Sequence, residues 1–422
     1  MHAEFPPSIA LRAADQCVKC GMCLPHCPTY GATLDEAESP RGRLALMQGM
    51  AGGLLAPDAA AEAHLDGCLT CRACEAMCPA QVPYGRLIDA VREHLARHRP
   101  ARTRAARLLA AVLAQPAWRA LALAPLWLYQ RLGIQALVRR LRLLGRGRLA
   151  RLESLLPRLH WPRRPAVAAT ATAPDVLLFT NCTSPLVEPR ALQSAVTLLE
   201  ALGCTVGVPQ GQACCGAQHQ HAGLAAPARA CALRNIKALS GPAPVVGVAS
   251  GCTAQLLEYE SLVGGTEAAA FGRRVRDLGS FLLAHPRFAE LRFAPLAARV
   301  LVHTPCSQRN VIKAPDTTRR LLERIPGLAI EALDSACCGA AGSYFVTQPD
   351  MADALLEPKL EAARRARPQL LVSSNVGCAM HLAAGLRRAG ITTRVLHPVE
   401  LLAERRAALR AAAAAIPPAR PA

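Results

Sequence analysis

Residues 17–28 read Cys17-Val-Lys-Cys20-Gly-Met-Cys23-Leu-Pro-His-Cys27-Pro28, and residues 68–79 read Cys68-Leu-Thr-Cys71-Arg-Ala-Cys74-Glu-Ala-Met-Cys78-Pro79. Each is a complete C-x2-C-x2-C-x3-C-P run. Three thiolates at this spacing wrap one face of an Fe4S4 cube through tight turns. The fourth cysteine, followed by proline, is directed to the neighbouring cube. Cys17, Cys20, Cys23 and Cys78 are therefore expected to hold one [4Fe–4S] cluster, and Cys68, Cys71, Cys74 and Cys27 the other. Neither motif completes a cluster alone, so the two must fold against each other, and two adjacent closed clusters make an electron relay. Structural zinc is the competing reading. It takes two C-x2-C halves, however, and gives no reason for a third cysteine at the same spacing followed by Cys-Pro, twice. Met22 and Met77 are expected to pack in the cluster pockets. Arg41, Arg43 and Arg86 could offset cluster charge or meet a partner's carboxylates, with ordinary solvated surface as the alternative.

Beyond this region the chain repeats itself. DVLLFTNC (175–182) answers RVLVHTPC (299–306), ACCGA (213–217) answers ACCGA (336–340), and PVVGVASGC, ending at Cys252, answers LLVSSNVGC, ending at Cys378. The offsets are 124, 123 and 126 residues, nearly constant over three landmarks, so residues 175–298 and 299–422 are two copies of one domain. Short branched-apolar runs such as VLLF and VLVH suit buried parallel strands and lead directly into cysteine-bearing loops, an α/β pattern with ligands at strand C-termini. In the first copy, LVEPRALQSAVTLLEALG reads as a helix, CTVGVP as a strand, Ala222 to Leu239 as a second helix, and VVGVAS as another strand.

Each copy supplies four cysteines: Cys182, Cys214, Cys215 and Cys252, then Cys306, Cys337, Cys338 and Cys378. Neighbouring cysteines are poorly placed to pair with each other as a disulfide. On a strand-to-helix loop followed by glycine, both thiolates can instead be aimed at one metal centre, with the flanking loop cysteines completing it. A redox-active dithiol and buried structural thiols remain open as alternatives. Cys204 and Cys231 have no repeat counterpart and read as core thiols. His381 stands three residues after Cys378, where Gln255 stands after Cys252, and could be a ligand or a packed core residue. His219 and His221 follow the first Cys-Cys-Gly and are candidates to reach the same opening.

With 422 residues and 52% hydrophobic composition, the chain has room for several domains with true cores and is not a disordered protein. Its eighteen cysteines, with no secretory signal read in MHAEFPPSIALRAADQC, point to metal in a reducing cytoplasm rather than a disulfide scaffold. The net charge of +19 is concentrated: residues 101–164 carry fourteen arginines against one acid, Glu153, and hold all three tryptophans, Trp118, Trp127 and Trp161. This stretch, within a basic helical connector over 99–174, is apolar from Leu108 to Gln130 except for Pro116, Arg119 and Pro125. It lacks the roughly 18 uninterrupted apolar residues of a spanning helix. Peripheral contact with an anionic membrane, docking to a protein partner and a merely solvated connector are its three readings. No nucleic-acid recognition motif accompanies the charge.

No serine nucleophile elbow, G-x-G-x-x-G after a strand or phosphate loop is present. Two closed clusters move electrons but accept no hydride, so a partner carrying a flavin, or another two-electron centre, is implied. The run CVKCGMCLPHCPTYG, then ESPRGRLALMQ, then DGCLTCRACEAMCPAQVPYGRLIDAVRE, followed by two Cys-Cys-Gly domains, resembles the iron–sulfur subunit of glycolate oxidase along essentially the whole chain. That resemblance implies a multidomain α+β and α/β architecture: a helical ferredoxin-like two-[4Fe–4S] domain (1–98), the connector (99–174) and the two cysteine-rich domains. It also implies work with FAD-containing subunits that oxidise glycolate to glyoxylate and pass electrons toward the respiratory chain, with no substrate chemistry on this chain and FAD on the partners only.

The relatives read as alternatives are the iron–sulfur subunits of anaerobic glycerol-3-phosphate or lactate dehydrogenases, a heterodisulfide-reductase-like catalytic module, and a structural scaffold. Cysteine-rich domains of heterodisulfide reductases end in C-x-x-C. Here the ends are Cys252-Thr-Ala-Gln255 and Cys378-Ala-Met-His381, so each site lacks one thiolate, and a smaller ligand set around a different centre is expected.

Overall fold

The computed structural model describes residues 12–98, 108, 111–112, 116–141, 143–145, 147–168, 173–333 and 336–414. Arg102, Arg104, Arg107, Arg142 and Arg146 of the basic stretch lie outside the described residues.

The duplication read from the sequence folds into two four-stranded sheets of the same topology. Strands β1 (Val176–Phe179), β2 (Val206–Gly207), β3 (Val245–Gly247) and β4 (Val275–Asp277) lie in the order β2-β1-β3-β4. Strands β5 (Ala298–His303), β6 (Leu328–Ala332), β7 (Leu370–Ser373) and β8 (Arg394–Leu396) repeat it as β6-β5-β7-β8. Every pairing is parallel. Helical crossovers cover both faces of such a sheet, which is why β1, β3 and β7 are buried at every residue. The crossover direction reverses between β1 and β3, and again between β5 and β7, which opens a crevice at the C-terminal ends of those strands.

Local structure follows the expected signals with two adjustments. The helix Pro189–Ala201 buries Ala191, Leu192, Ala195, Val196, Leu198 and Leu199 at helical spacing, with Pro189 in its first turn. The helix expected over Ala222 to Leu239 spans Ala225–Ala238, and a short helix not foreseen in the sequence, Ala217–His221, precedes it, the two separated where Gly223 adopts a left-handed conformation (φ +74°). The expected strand CTVGVP shrinks to Val206–Gly207.

The copies are not independent bodies. One continuous core joins Val176, Leu178, Val246 and Val248 of the first sheet to Val300, Val302, Val372 and Leu396 of the second. Leu401 and Leu402, in the C-terminal helix Pro398–Ala414, belong to this core beside Leu198 and Leu199 of the first copy. Polar bonds tie the same seam: Ser250 N donates to the Ser374 carbonyl at 2.9 Å, and His397 Nε2 lies 3.1 Å from the Val248 carbonyl.

The N-terminal region is helical. Ser39 caps the helix Pro40–Ala51, its Oγ accepting from Gly42 N at 2.9 Å, and Asp58 caps Ala59–Asp66 in the same way at 2.8 Å. The longer helix Tyr84–His98 lays Leu87, Ile88, Val91 and Leu95 against Leu44, Met47 and Leu65. The connector contributes helices Pro116–Arg131, Ile134–Leu141 and Arg148–Leu155. Arg139 pairs with Glu153, and Leu155 is buried in the core of the second copy. Among the described residues no helix is long and apolar enough to cross a membrane.

Candidate metal centres

None of the eighteen cysteines is paired in a disulfide. The two N-terminal motifs adopt one backbone design. Lys19 (φ 55°) and Gly21 (φ 82°) are left-handed in the first, and Thr70 (φ 49°) and Arg72 (φ 57°) occupy the same places in the second. These alternating reversals turn successive cysteines of each run toward a common centre. Cys27, from the first motif, lines one cavity with Cys68, Cys71 and Cys74 from the second. Cys17, Cys74 and Cys78 pack on the same helical core, so the two runs lie against each other. Burial pushes the Cys23 thiol up, and the charges of Cys17 and Cys20 add to this, so those three are neighbours. The two groups differ in setting: Cys27 and Cys68 are buried, whereas Cys20 is exposed and Cys17, Cys23 and Cys78 are half-buried.

Three arginines stood near the motifs in sequence; one lines the cavity. Arg43 is 1% exposed. Its Nε donates to the His64 carbonyl at 2.7 Å and its Nη1 to Thr29 Oγ1 at 3.0 Å and the Glu38 carbonyl at 2.6 Å, while Nη2 pairs with the Glu38 carboxylate. Burial alone would pull this guanidinium down; charge on Cys68, Tyr84, Glu38 and Cys27 instead holds it up. Arg41 is tied to Glu36 at the surface, and Arg86 is exposed. Met22 and Met77, expected to pack in the pockets, are 54% and 40% exposed; the helical core closes without them. Arg92 was not singled out in the sequence, yet its Nη2 donates to the carbonyls of Leu65 at 2.8 Å and Cys68 at 2.7 Å, clamping the second cysteine loop. A basic residue fourteen positions beyond Cys78 carries no local signal of that role.

The four cysteines of each copy come together at the crevice of its sheet. In the first, Cys182 Sγ lies 3.5 Å from Cys214 Sγ, and Cys215 lies within electrostatic reach of both Cys214 and Cys252. In the second, the chain runs Cys306–Cys337–Cys338–Cys378. Gly216 (φ 92°) and Gly339 (φ 81°) provide the left-handed turn after each cysteine pair, and a Cβ on Gly339 would sit 2.6 Å from the Ala352 carbonyl. Hydrogen bonding to Cys214 and burial place the Cys182 thiol well above its ordinary value; bonding to Cys337 and Cys378, with burial, does the same to Cys338. Cys337, receiving bonds from Cys306 and Cys338, is held well below. Such a group is costly to bury as bare thiols and well suited to a cation that displaces the protons.

His303 joins the second group: its ring nitrogen and the Sγ atoms of Cys338 and Cys378 all lie within 4.8 Å of one another. His381, singled out from the sequence, instead sets Nε2 3.3 Å from the Ala352 carbonyl and its ring 5.4 Å from Phe345. His221 pairs with Asp89 at 3.1 Å, and His219 is buried. Cys231 is buried and Cys204 half-buried beside His285.

The N-terminal region wedges between the copies. Arg72 pairs with Glu258 of the first, while Asn310 Nδ2 donates to the Cys71 carbonyl at 2.7 Å and Tyr344 Oη to the Gly67 carbonyl at 2.9 Å from the second. Leu69 and Cys71 pack within the core that holds Cys306, Cys337, Cys338 and Cys378, and burial together with charge on Cys337 pushes the Cys71 thiol well up.

This architecture matches known families piece by piece. Residues 13–82 match a 4Fe-4S dicluster domain, 176–257 and 300–383 a cysteine-rich domain, and 101–156 the linker region of the glycolate oxidase iron–sulfur subunit. A probable glycolate oxidase iron–sulfur subunit of Bacillus subtilis is 33% identical over 416 residues, covering 92% of this chain and 93% of that one. The chain belongs to the glycolate oxidase iron–sulfur subunit family. The Escherichia coli glycolate oxidase iron–sulfur subunit is 31% identical over 92% of both chains. Lactate utilization protein A of Geobacillus thermodenitrificans, 28% identical, spans 54% of this chain. Members of this family carry iron–sulfur centres and transfer electrons within a dehydrogenase complex, and the dicluster match extends iron–sulfur binding to residues 13–82.

Proposed function

We propose that this chain relays electrons from FAD-containing subunits that oxidise glycolate to glyoxylate toward a respiratory acceptor, using two [4Fe–4S] clusters held by Cys17, Cys20, Cys23 and Cys78 and by Cys68, Cys71, Cys74 and Cys27. The observation that carries the reading is the shared cavity: it draws Cys27 across to Cys68, Cys71 and Cys74, the crossed set that the spacing calls for. The cavity's residues fit a thiolate-ligated cluster, with four sulfur donors and a buried guanidinium, Arg43, to offset the negative charge.

When bound, the clusters supply one-electron transfer. The chain's own residues hold and order them. Cys20 sits at the surface, suited to exchange with a partner, whereas Cys71 faces the thiols of the second copy. The two groups of four repeat cysteines are proposed as further metal sites.

The connector supports the docking reading. Arg119, Arg139 and Arg151 turn inward to the Cys182, Glu153 and Phe345 carbonyls, while Trp118, Leu121, Leu132, Leu137 and Leu149 remain exposed. A partner subunit that covers those leucines would satisfy both features.

Anaerobic affinity purification with a flavoprotein partner tests the reading. The complex should reduce its clusters and a terminal dye on glycolate addition, and the isolated chain should do neither. Glycolate turnover by the isolated chain, or full dye reduction by a complex lacking it, overturns the division of labour.

A further inference from the structure

The two copies align strand for strand, and that alignment exposes a paired replacement at the floor of the crevice. β1 ends on Phe179, which pairs in register with Gly247 of β3. β5 ends at the corresponding place on His303, which pairs with Ser373 of β7. An apolar ring over a glycine in the first copy thus becomes an imidazole beside a hydroxyl in the second. The hydroxyl holds the ring: His303 Nδ1 and Ser373 Oγ are 3.0 Å apart. His303 is 1% exposed, Cys338 1% and Cys378 5%, and their donor atoms lie mutually within 4.8 Å. Anchoring one imidazole nitrogen to a neighbouring polar group fixes the tautomer and aims the other nitrogen, the arrangement that supports a metal-ligating histidine. Phe179 offers the first copy no donor at that place.

We infer that His303 is a metal ligand, donating through Nε2. The second copy then holds a mixed thiolate–imidazole iron centre with Cys338 and Cys378, and the first holds an all-thiolate one. This rests on the reading that the repeat cysteines bind metal. Where the imidazole takes a ligand place that Cys306 or Cys337 would otherwise fill, the centre carries less negative charge and its reduction potential rises. The higher-potential centre would then be the one packed against Cys71.

The test uses the full chain, purified anaerobically with its partner, labelled with ¹⁵N-histidine or left at natural abundance. Wild-type protein and the variants His303→Phe, His303→Cys, Phe179→Leu and Cys338→Ser are compared by metal analysis, chelator challenge and pulsed EPR. The expected result is a directly coordinated nitrogen coupling in the wild type that changes with the isotope and survives Phe179→Leu. His303→Phe should lose that coupling and release second-copy iron to a chelator about tenfold faster or more. His303→Cys should keep the iron without the coupling, which also guards against a folding defect in His303→Phe.

A wild-type centre without nitrogen coupling, or a His303→Phe protein that matches wild type in iron retention and spectrum, overturns the assignment. If Cys338→Ser also leaves the metal content unchanged, the metal reading of the repeat itself has failed. If Cys338→Ser loses iron while His303→Phe does not, only the histidine ligand falls.

Discussion

Arg43 stands where charge and architecture meet, and replacing it with methionine removes both at nearly constant bulk. The guanidinium makes hydrogen bonds to two backbone carbonyls and one hydroxyl and an ion pair with Glu38, whose carboxylate keeps a second partner in His64 Nδ1 at 2.7 Å. Deleting one partner of a buried ion pair costs about 3–5 kcal/mol. Because His64 remains, the low end applies, about 3 kcal/mol. That corresponds to local opening on the order of a hundredfold more frequent. Hydrogen exchange on the anaerobic protein should therefore accelerate by that factor in amides near Thr29 and Leu65. Iron content should fall because the cavity of Cys27, Cys68, Cys71 and Cys74 loses its counter-charge. Arg364→Met is the matched control: its ion pairs with Glu357 and Glu361 are solvent-exposed and it lines no part of the cavity, so exchange and iron should stay as in wild type. Wild-type exchange and full iron in Arg43→Met would refute the reasoning, since neither the clamp nor the charge would then matter to the site.

Two further outcomes are expected. Cys214→Ser and Cys338→Ser should each lose metal from their own copy while the EPR of the N-terminal clusters persists, because those clusters draw all eight ligands from residues 17–78; unchanged metal counts would mark the groups as buried thiols only. Burial, aided by charge on Glu400, raises the Glu188 carboxyl from 4.5 to about 8, and its Oε2 is buried without a hydrogen-bond partner. A carboxyl raised on folding is tolerated while protonated and destabilises as it ionises. Wild-type stability should thus fall relative to Glu188→Gln as pH rises from 4.5 to about 8, by up to about 1.4 kcal/mol per pH unit, and level off above that. Parallel urea midpoints for the two proteins across this range would contradict it.

The cysteine runs, the duplication and the α/β character of the copies were legible because they are local. A C-x2-C-x2-C-x3-C-P run restricts its own backbone through turns, and the strands VLLF and VLVH announce themselves by burial on both faces. Arg43, Arg92 and His303 were not separable from other basic and imidazole residues by such signals. What distinguishes Arg43 from Arg41, two positions away, is that one side chain turns into the cavity and the other outward to Glu36. His303 and His381 exchange apparent roles for the same reason. His381 stands three residues from Cys378 and His303 three residues from Cys306, so spacing alone does not rank them; the pairing of β5 with β7 is what brings the His303 ring to Cys378, 75 positions on. By itself the sequence determined which atoms can bind metal and that the domain occurs twice. Tertiary structure alone decided which donors converge, and that one core fuses the copies, because both depend on parallel strand register and on helices meeting across sheets, contacts between residues too distant in sequence to leave a local pattern.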